Sequence, residues 1–150
     1  MANILFVCTG NTCRSPMAEA LFNHLCKSGD FQVRSAGIFA TDGQNISDHA
    51  KKVLEEKGIS VDHQAAKLKE EDIHWATYVL TMTENHKDAV CQVFPKAVDK
   101  TFTISEFAVG EDGEQYDIMD PFGGSVEMYR KTRDELEQII SKIIKKLENM

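Results

Sequence analysis

Two side chains in this sequence are spaced to do chemistry together. They are the thiol of Cys8 and the guanidinium of Arg14, five residues apart in Cys8-Thr9-Gly10-Asn11-Thr12-Cys13-Arg14-Ser15. An apolar run, Ile4-Leu5-Phe6-Val7, precedes them, and Ser15-Pro16 opens a helix after them. A loop between a strand and a helix N-terminus turns backbone N–H groups inward, and the helix dipole adds partial positive charge. Such a cradle accepts a phosphate or an arsenate. A thiol inside it is expected to ionise, with a pKa well below the free value of about 8.5. Arg14 offers a planar fork for two phosphoryl oxygens at once, which a lysine does not. The Ser15 hydroxyl can bond the thiolate and help it leave. Gly10 is expected to admit a backbone conformation that a side chain would block. Asn11 is expected to support the loop through local bonds or a left-handed conformation.

Transfer of a phosphoryl group to Cys8 also needs a proton for the leaving group. Asp120-Pro121 is the candidate, with Phe122-Gly123-Gly124 behind it. Pro121 biases Asp120 towards an extended backbone and stiffens the loop. An apolar loop around a single Asp would keep that acid protonated near neutral pH.

The chain has four cysteines and five histidines. They form no CxxC pair and no zinc-like spacing, so neither a metal nor a cofactor is expected. Cys13 shares the loop with Cys8. Two readings of it stay open: a reversible Cys8–Cys13 disulfide that protects the thiolate from further oxidation, or buried support for the loop. Cys26 and Cys91 read as inert packing residues.

The elements that must hold these groups alternate. Asn3–Val7 reads as a strand buried on both faces. Ser15–Lys27 reads as a helix with Ser15 as N-cap, Pro16 at its first position and Gly29 ending it. Strands are expected at Phe31–Ala36, Tyr78–Met82 and Thr101–Ile104. Helices are expected at Ser47–Lys57, near Lys69–His74, at Glu84–Val93 and at about Ser125–Leu147. In the last of these, Leu136, Ile139, Ile140, Ile143, Ile144 and Leu147 repeat at helical spacing, which marks a core stripe. Gly110–Tyr116 reads as an exposed acidic loop. The alternation predicts an α/β fold: one domain over residues 1–150, a three-layer sandwich with a parallel sheet flanked by helices on both faces. In such sheets ligands bind at the carboxyl ends of the strands, and Cys8 follows the first strand directly.

At 150 residues the chain can bury one real core. Its net charge of −7 argues against nonspecific nucleic-acid binding. No apolar run approaches the roughly 20 residues of a membrane-spanning helix, and the N-terminus lacks a signal-peptide pattern. Neither nucleic acid nor membrane is expected as a partner, and a cytoplasmic location is. No feature of the pattern assigns an oligomeric state.

VCTGNTCRS at Val7–Ser15, the PMAEA that follows, Ser35-Ala36-Gly37 and Asp120-Pro121 together resemble the low-molecular-weight protein tyrosine phosphatases over the whole chain. The resemblance implies a four-stranded parallel sheet, a cysteinyl-phosphate intermediate and phosphorylated proteins as substrates. It implies Cys8 as nucleophile, Arg14 as phosphoryl clamp, and Asp120 as acid and then base. It places Thr9, Gly10, Asn11, Thr12, Cys13, Ser15 and Ser35 in the phosphate-binding loop and its support, and His63 where the family often has a supporting histidine.

Tyrosine-specific members usually carry a bulky aliphatic residue where this chain has Thr12. They often carry aromatic residues where it has Phe122-Gly123-Gly124. They usually carry a tryptophan in the segment where it has Ile38-Phe39-Ala40-Thr41; its sole tryptophan is Trp75. Thr12 with Asp120-Pro121-Phe122-Gly123-Gly124 is similar to the bacterial protein arginine phosphatase branch. An aryl phosphate gains from apolar walls, whereas a phosphoguanidine is polar, rich in N–H donors and wants acceptors. Thr12 and Asp120 could supply them, which makes Thr12 and Phe122 the expected specificity residues. Phosphotyrosine in proteins is the alternative substrate. An arsenate reductase would need a relay of close downstream cysteines, where only Cys91 lies. A phosphate-binding module without turnover would have no use for Asp120.

Overall fold

The computed structural model describes residues 2–110, 113 and 115–150. Four strands form one parallel sheet: β1 Ala2–Cys8, β2 Phe31–Gly37, β3 Tyr78–Thr81 and β4 Thr101–Thr103. Their order across the sheet is β2-β1-β3-β4. β1 is central and pairs with β2 from Ala2↔Phe31 to Cys8↔Gly37 and with β3 from Ile4↔Tyr78 to Val7↔Thr81. Every strand thus ends at the same edge, so the loops after β1, β2 and β3 meet there.

The unbroken apolar run of β1 is explained by its two buried faces. Ile4 and Phe6 point into a core shared with Met17, Leu21, Phe22 and the stripe Leu136, Ile139, Ile140, Ile143. Leu5 and Val7 point into a second core with Ile73, Val79, Val90 and Ala97. The first core lies under α1 (Arg14–Leu25), α2 (Asp48–Glu55), and two helices from the second half of the chain, Ile104–Val109 and Val126–Glu148. The second lies under α3 (Glu70–Trp75) and α4 (Glu84–Val93). Two layers of helix around one sheet make the three-layer α/β sandwich read from the sequence.

Several elements differ from that reading. Ile104–Val109 is a helix, α5, where a strand was expected to run on through Ile104. Thr103 stops the strand by forming a capping box: its hydroxyl accepts the Glu106 N–H at 3.0 Å, and Glu106 accepts the Thr103 N–H at 2.9 Å. The first helix ends at Leu25 rather than near Gly29, because Cys26 turns extended. Ser15 is not an N-cap. Cys13 holds that position without a side-chain cap bond, and Ser15 lies inside the first turn. The last helix, α6 (Val126–Glu148), matches the expected range, and Ser125 caps it by accepting the Met128 N–H on Oγ. The expected loop at Gly110–Tyr116 falls in part on residues 111, 112 and 114, which lie outside the described residues.

Candidate active site

Cys8 closes β1, and the next five residues curl round its thiol before α1 starts. Asn11 makes this curl possible with a left-handed backbone, φ 57°. Its short amide side chain tolerates that conformation and bonds locally. Gly10 is not the residue that sterics demand, contrary to expectation. A Cβ there would meet only Thr12 Oγ1, at 3.8 Å. The demand falls on Gly37 at the end of β2, where a Cβ would lie 2.6 Å from the Thr9 carbonyl oxygen and 2.9 Å from the Asn11 nitrogen.

A web of polar groups fixes the curl. Asn11 Nδ2 donates to Ser15 Oγ at 2.8 Å and to Ser35 Oγ at 3.0 Å, and Asn11 Oδ1 accepts the Ala66 N–H at 2.9 Å. Ser35 Oγ donates to Glu19 at 2.6 Å. His63 Nε2 lies 3.0 Å from the Asn11 carbonyl oxygen, and its Nδ1 is 3.9 Å from Glu19. The Ser47 N–H donates to the Thr12 carbonyl at 2.9 Å, tying the start of α2 to the loop. Residues scattered over more than fifty positions therefore converge on one turn of backbone.

Cys8 Sγ lies 2.8 Å from Ser15 Oγ. Burial pushes the Cys8 thiol up. The Ser15 hydroxyl, the Ser15 N–H, Arg14 and the Asn11 N–H all pull it down, in that order. Burial prevails, so the thiol lies above its ordinary range rather than below it, contrary to the expectation from the motif. The reason is depth, since Cys8 is only 3% exposed. Each opposing group nonetheless belongs to the motif, and together they make the thiolate reachable.

Arg14 is buried. One of its Nη atoms donates to the Ile118 carbonyl at 2.9 Å, and the other lies 3.6 Å from Asp120 Oδ2. Ile118 is anchored in turn by its N–H on the Met82 carbonyl at the end of β3. Asp120 Oδ1 accepts the Phe122 N–H at 3.0 Å, a tight turn stiffened by Pro121. The Asp120 side chain is 51% exposed, so the apolar enclosure expected around it is absent. Cys8, Thr9, Gly10, Thr12, Cys13, Arg14, Asp120 and Phe122 line a single pocket of about 260 Å³. The sequence-picked residues Cys8, Arg14, Thr12, Asp120 and Phe122 thus meet. Ser15, Asn11, Ser35 and His63 stand behind the loop.

Cys13 packs towards α6. Its sulfur lies 3.3 Å from the Tyr129 hydroxyl of α6 and 3.7 Å from Thr12 Oγ1. All four thiols are free. Among the described residues, no group of three or more His, Cys, Asp and Glu is placed to hold a metal ion.

Some site residues escaped the sequence reading. Gln44 lines the pocket mouth. Glu19 carries the second half of the Ser35 bond. His86 lies 2.8 Å from Thr9 Oγ1. A lone Gln in a loop or a lone His on a helix carries no spacing signal. Glu19 sits in PMAEA, four residues beyond Ser15, and helical periodicity could have put it on the face towards the loop.

A strand–cradle–helix thiol with an Asp-Pro loop opposite it belongs to a recognised class of phosphatase. The sequence profile of the low molecular weight phosphotyrosine protein phosphatases matches residues 3–150, and the chain belongs to that family. A Geobacillus stearothermophilus relative described as a protein-arginine-phosphatase is 55% identical over 145 residues, covering 97% of this chain and 95% of its own length. The solved YwlE arginine phosphatase from Geobacillus stearothermophilus superposes with a TM-score of 0.94 at 53% identity, over 99% of this chain and 94% of that one. A cysteine-to-serine mutant of the YwlE arginine phosphatase, with a phosphorylated active-site serine, superposes with a TM-score of 0.93 at 43% identity, over 97% and 95%.

Proposed function

We propose that this chain, as one domain, is a cytoplasmic cysteine-dependent phosphatase that hydrolyses phosphoarginine in proteins. In this reading Cys8 gives its proton to solvent, and the thiolate Sγ attacks phosphorus in line with the leaving nitrogen. The P–N bond breaks, its electron pair goes to nitrogen, and Asp120 delivers the proton. Arg14 and the loop N–H groups hold the equatorial oxygens where charge spreads. Water then attacks the cysteinyl phosphate while Asp120 takes its proton. The S–P bond breaks, Ser15 Oγ receives the thiolate in a hydrogen bond, and inorganic phosphate leaves. The thiolate re-forms beside the Ser15 hydroxyl, 2.8 Å away, whose hydrogen bond offsets part of the rise that burial imposes and so helps the sulfur leave.

The observation that carries the choice of substrate is the environment of Thr12. Its hydroxyl lines the pocket and makes only a long contact, 3.7 Å, to a thiol. It is therefore available to accept an N–H from a guanidine, opposite the Asp120 carboxylate. Phe122, 75% exposed at the mouth, offers a flat face to the planar group. The likeness to the two arginine phosphatases from Geobacillus stearothermophilus supports the same reading.

Replacing Thr12 by Ile tests it. The acceptor is lost and an apolar wall is gained. The ratio of kcat/KM on a phosphoarginine peptide to that on a phosphotyrosine peptide should fall by about tenfold or more. A ratio that does not move would remove Thr12 from the account.

A further inference from the structure

His86 is a buried titratable group beside the loop that the reaction steps above do not use. It lies in the first turn of α4, whose N-cap Thr83 accepts the His86 N–H at 3.1 Å. The residue is 8% exposed. Its Nε2 stands 2.8 Å from Thr9 Oγ1, 77 positions earlier in the chain. Its Nδ1 is buried without a hydrogen-bond partner among the described residues. Thr9 is the residue next to the nucleophile and lines the pocket. Its carbonyl accepts the Phe39 N–H at 2.9 Å. Thr9 is therefore gripped through its backbone from the turn after β2 and through its side chain from α4.

We infer that His86 is a positioning residue: as the neutral Nε2–H tautomer it donates to Thr9 Oγ1 and so leaves the Thr9 hydroxyl hydrogen to point at a phosphoryl oxygen in the pocket. The orphan Nδ1 decides the tautomer. With hydrogen on Nδ1, a buried N–H donor would go unpaired; with hydrogen on Nε2, only a lone pair does. Unpaired buried donors are the rarer and costlier case. A hydroxyl that accepts from Nε2 has its own hydrogen to spend elsewhere. The pocket, shared with Cys8 and Arg14, is where an anionic acceptor binds.

The role requires a ring without charge, and the surroundings keep it so. Burial and the Arg14 guanidinium of α1 disfavour a second cation. Asp120 and Asp117, from the segment before α6, favour one. Burial prevails and His86 is pushed down to about 4. Of its neighbours on α4, Lys87 is paired with Glu106 of α5. At neutral pH the ring is a fixed donor rather than a switch.

This inference rests on Cys8 as the nucleophile but not on the choice of phosphoarginine. It is therefore tested with a small aryl phosphate. The kcat and KM of the wild type are compared with those of His86→Ala, His86→Gln, Thr9→Val and the His86→Ala/Thr9→Val double variant, each with its melting temperature. Gln carries an N–H donor to about the reach of Nε2. His86→Ala and Thr9→Val should each lower kcat by about tenfold with a smaller change in KM. His86→Gln should recover most of the loss, and the double variant should be no worse than the poorer single one. Should His86→Ala fail to fold, Thr9→Val must still lose kcat while His86→Gln keeps most of it. A folded His86→Gln as poor as His86→Ala, losses that multiply in the double variant, or an unchanged kcat in His86→Ala would each overturn the inference. Turnover by Cys8→Ser, by contrast, would sink the functional reading itself.

Discussion

Ser15 shows how a single atom can set the terms for a nucleophile. It was expected to cap the first helix, yet it lies inside the first turn and turns its hydroxyl to Cys8 at 2.8 Å. It is the strongest of the groups pulling the thiol down against burial. Ser15→Ala leaves Cys8 equally buried and removes that pull, so the thiol must move further up. The pH dependence of Cys8 alkylation should shift to higher pH in the variant. A midpoint that stays put, or moves down, would show that the loop N–H groups and Arg14 alone stabilise the thiolate. The same residue illustrates what sequence could and could not give. The types in the motif named the chemistry. The sequence offered Ser15 both as a helix cap and as a partner for the thiolate, and Asn11 as well as Gly10 for an unusual backbone; how tightly the loop curls decides for the sulfur and for Asn11.

Elements were legible wherever a period repeated. The buried run of β1 and the stripe of α6 follow from two-faced and one-faced burial. The helix α5 was missed because six residues give periodicity too little length, although Thr103-Ile104-Ser105-Glu106 carries a capping box. Ion pairs between elements were invisible, since they join distant positions. Glu56, just past α2, accepts from Arg130 and Arg133 of α6, and Arg130 also pairs with Glu127. The bond from Arg130, ahead of that from Arg133, holds the Glu56 carboxyl down to about 2 from 4.5. A carboxyl lowered in the folded state contributes stability above its unfolded pKa and loses it as pH falls through the folded one. This tie between α2 and α6 should therefore weaken between about pH 4.5 and 2. Glu56→Gln should melt lower than the wild type near neutral pH, and the gap should close across that acid window. A gap that is constant with pH would mean that packing, not charge, is what the substitution disturbs.

At the scale of the whole molecule, the parallel sheet does the assembling. All four strands end at one edge, which brings Cys8 from β1, Ser35 and Gly37 from β2, and the Met82 anchor of Ile118 from β3 to the same place. Asp120 arrives more than a hundred residues after Cys8 because its segment is stitched to the end of β3. The fold class and the family could be read from the sequence for this reason: strand, cradle, helix and a distant Asp-Pro are what such an edge needs. His86, which reaches Thr9 from α4, comes from a helix face that no local pattern marks. The central claim is that this edge is built for a phosphoguanidine. Its most direct test is kcat/KM of the unmodified protein on a phosphoarginine peptide and on a matched phosphotyrosine peptide, near neutral pH. The account predicts a preference of about tenfold or more for phosphoarginine; equal rates, or a preference for phosphotyrosine, would contradict it.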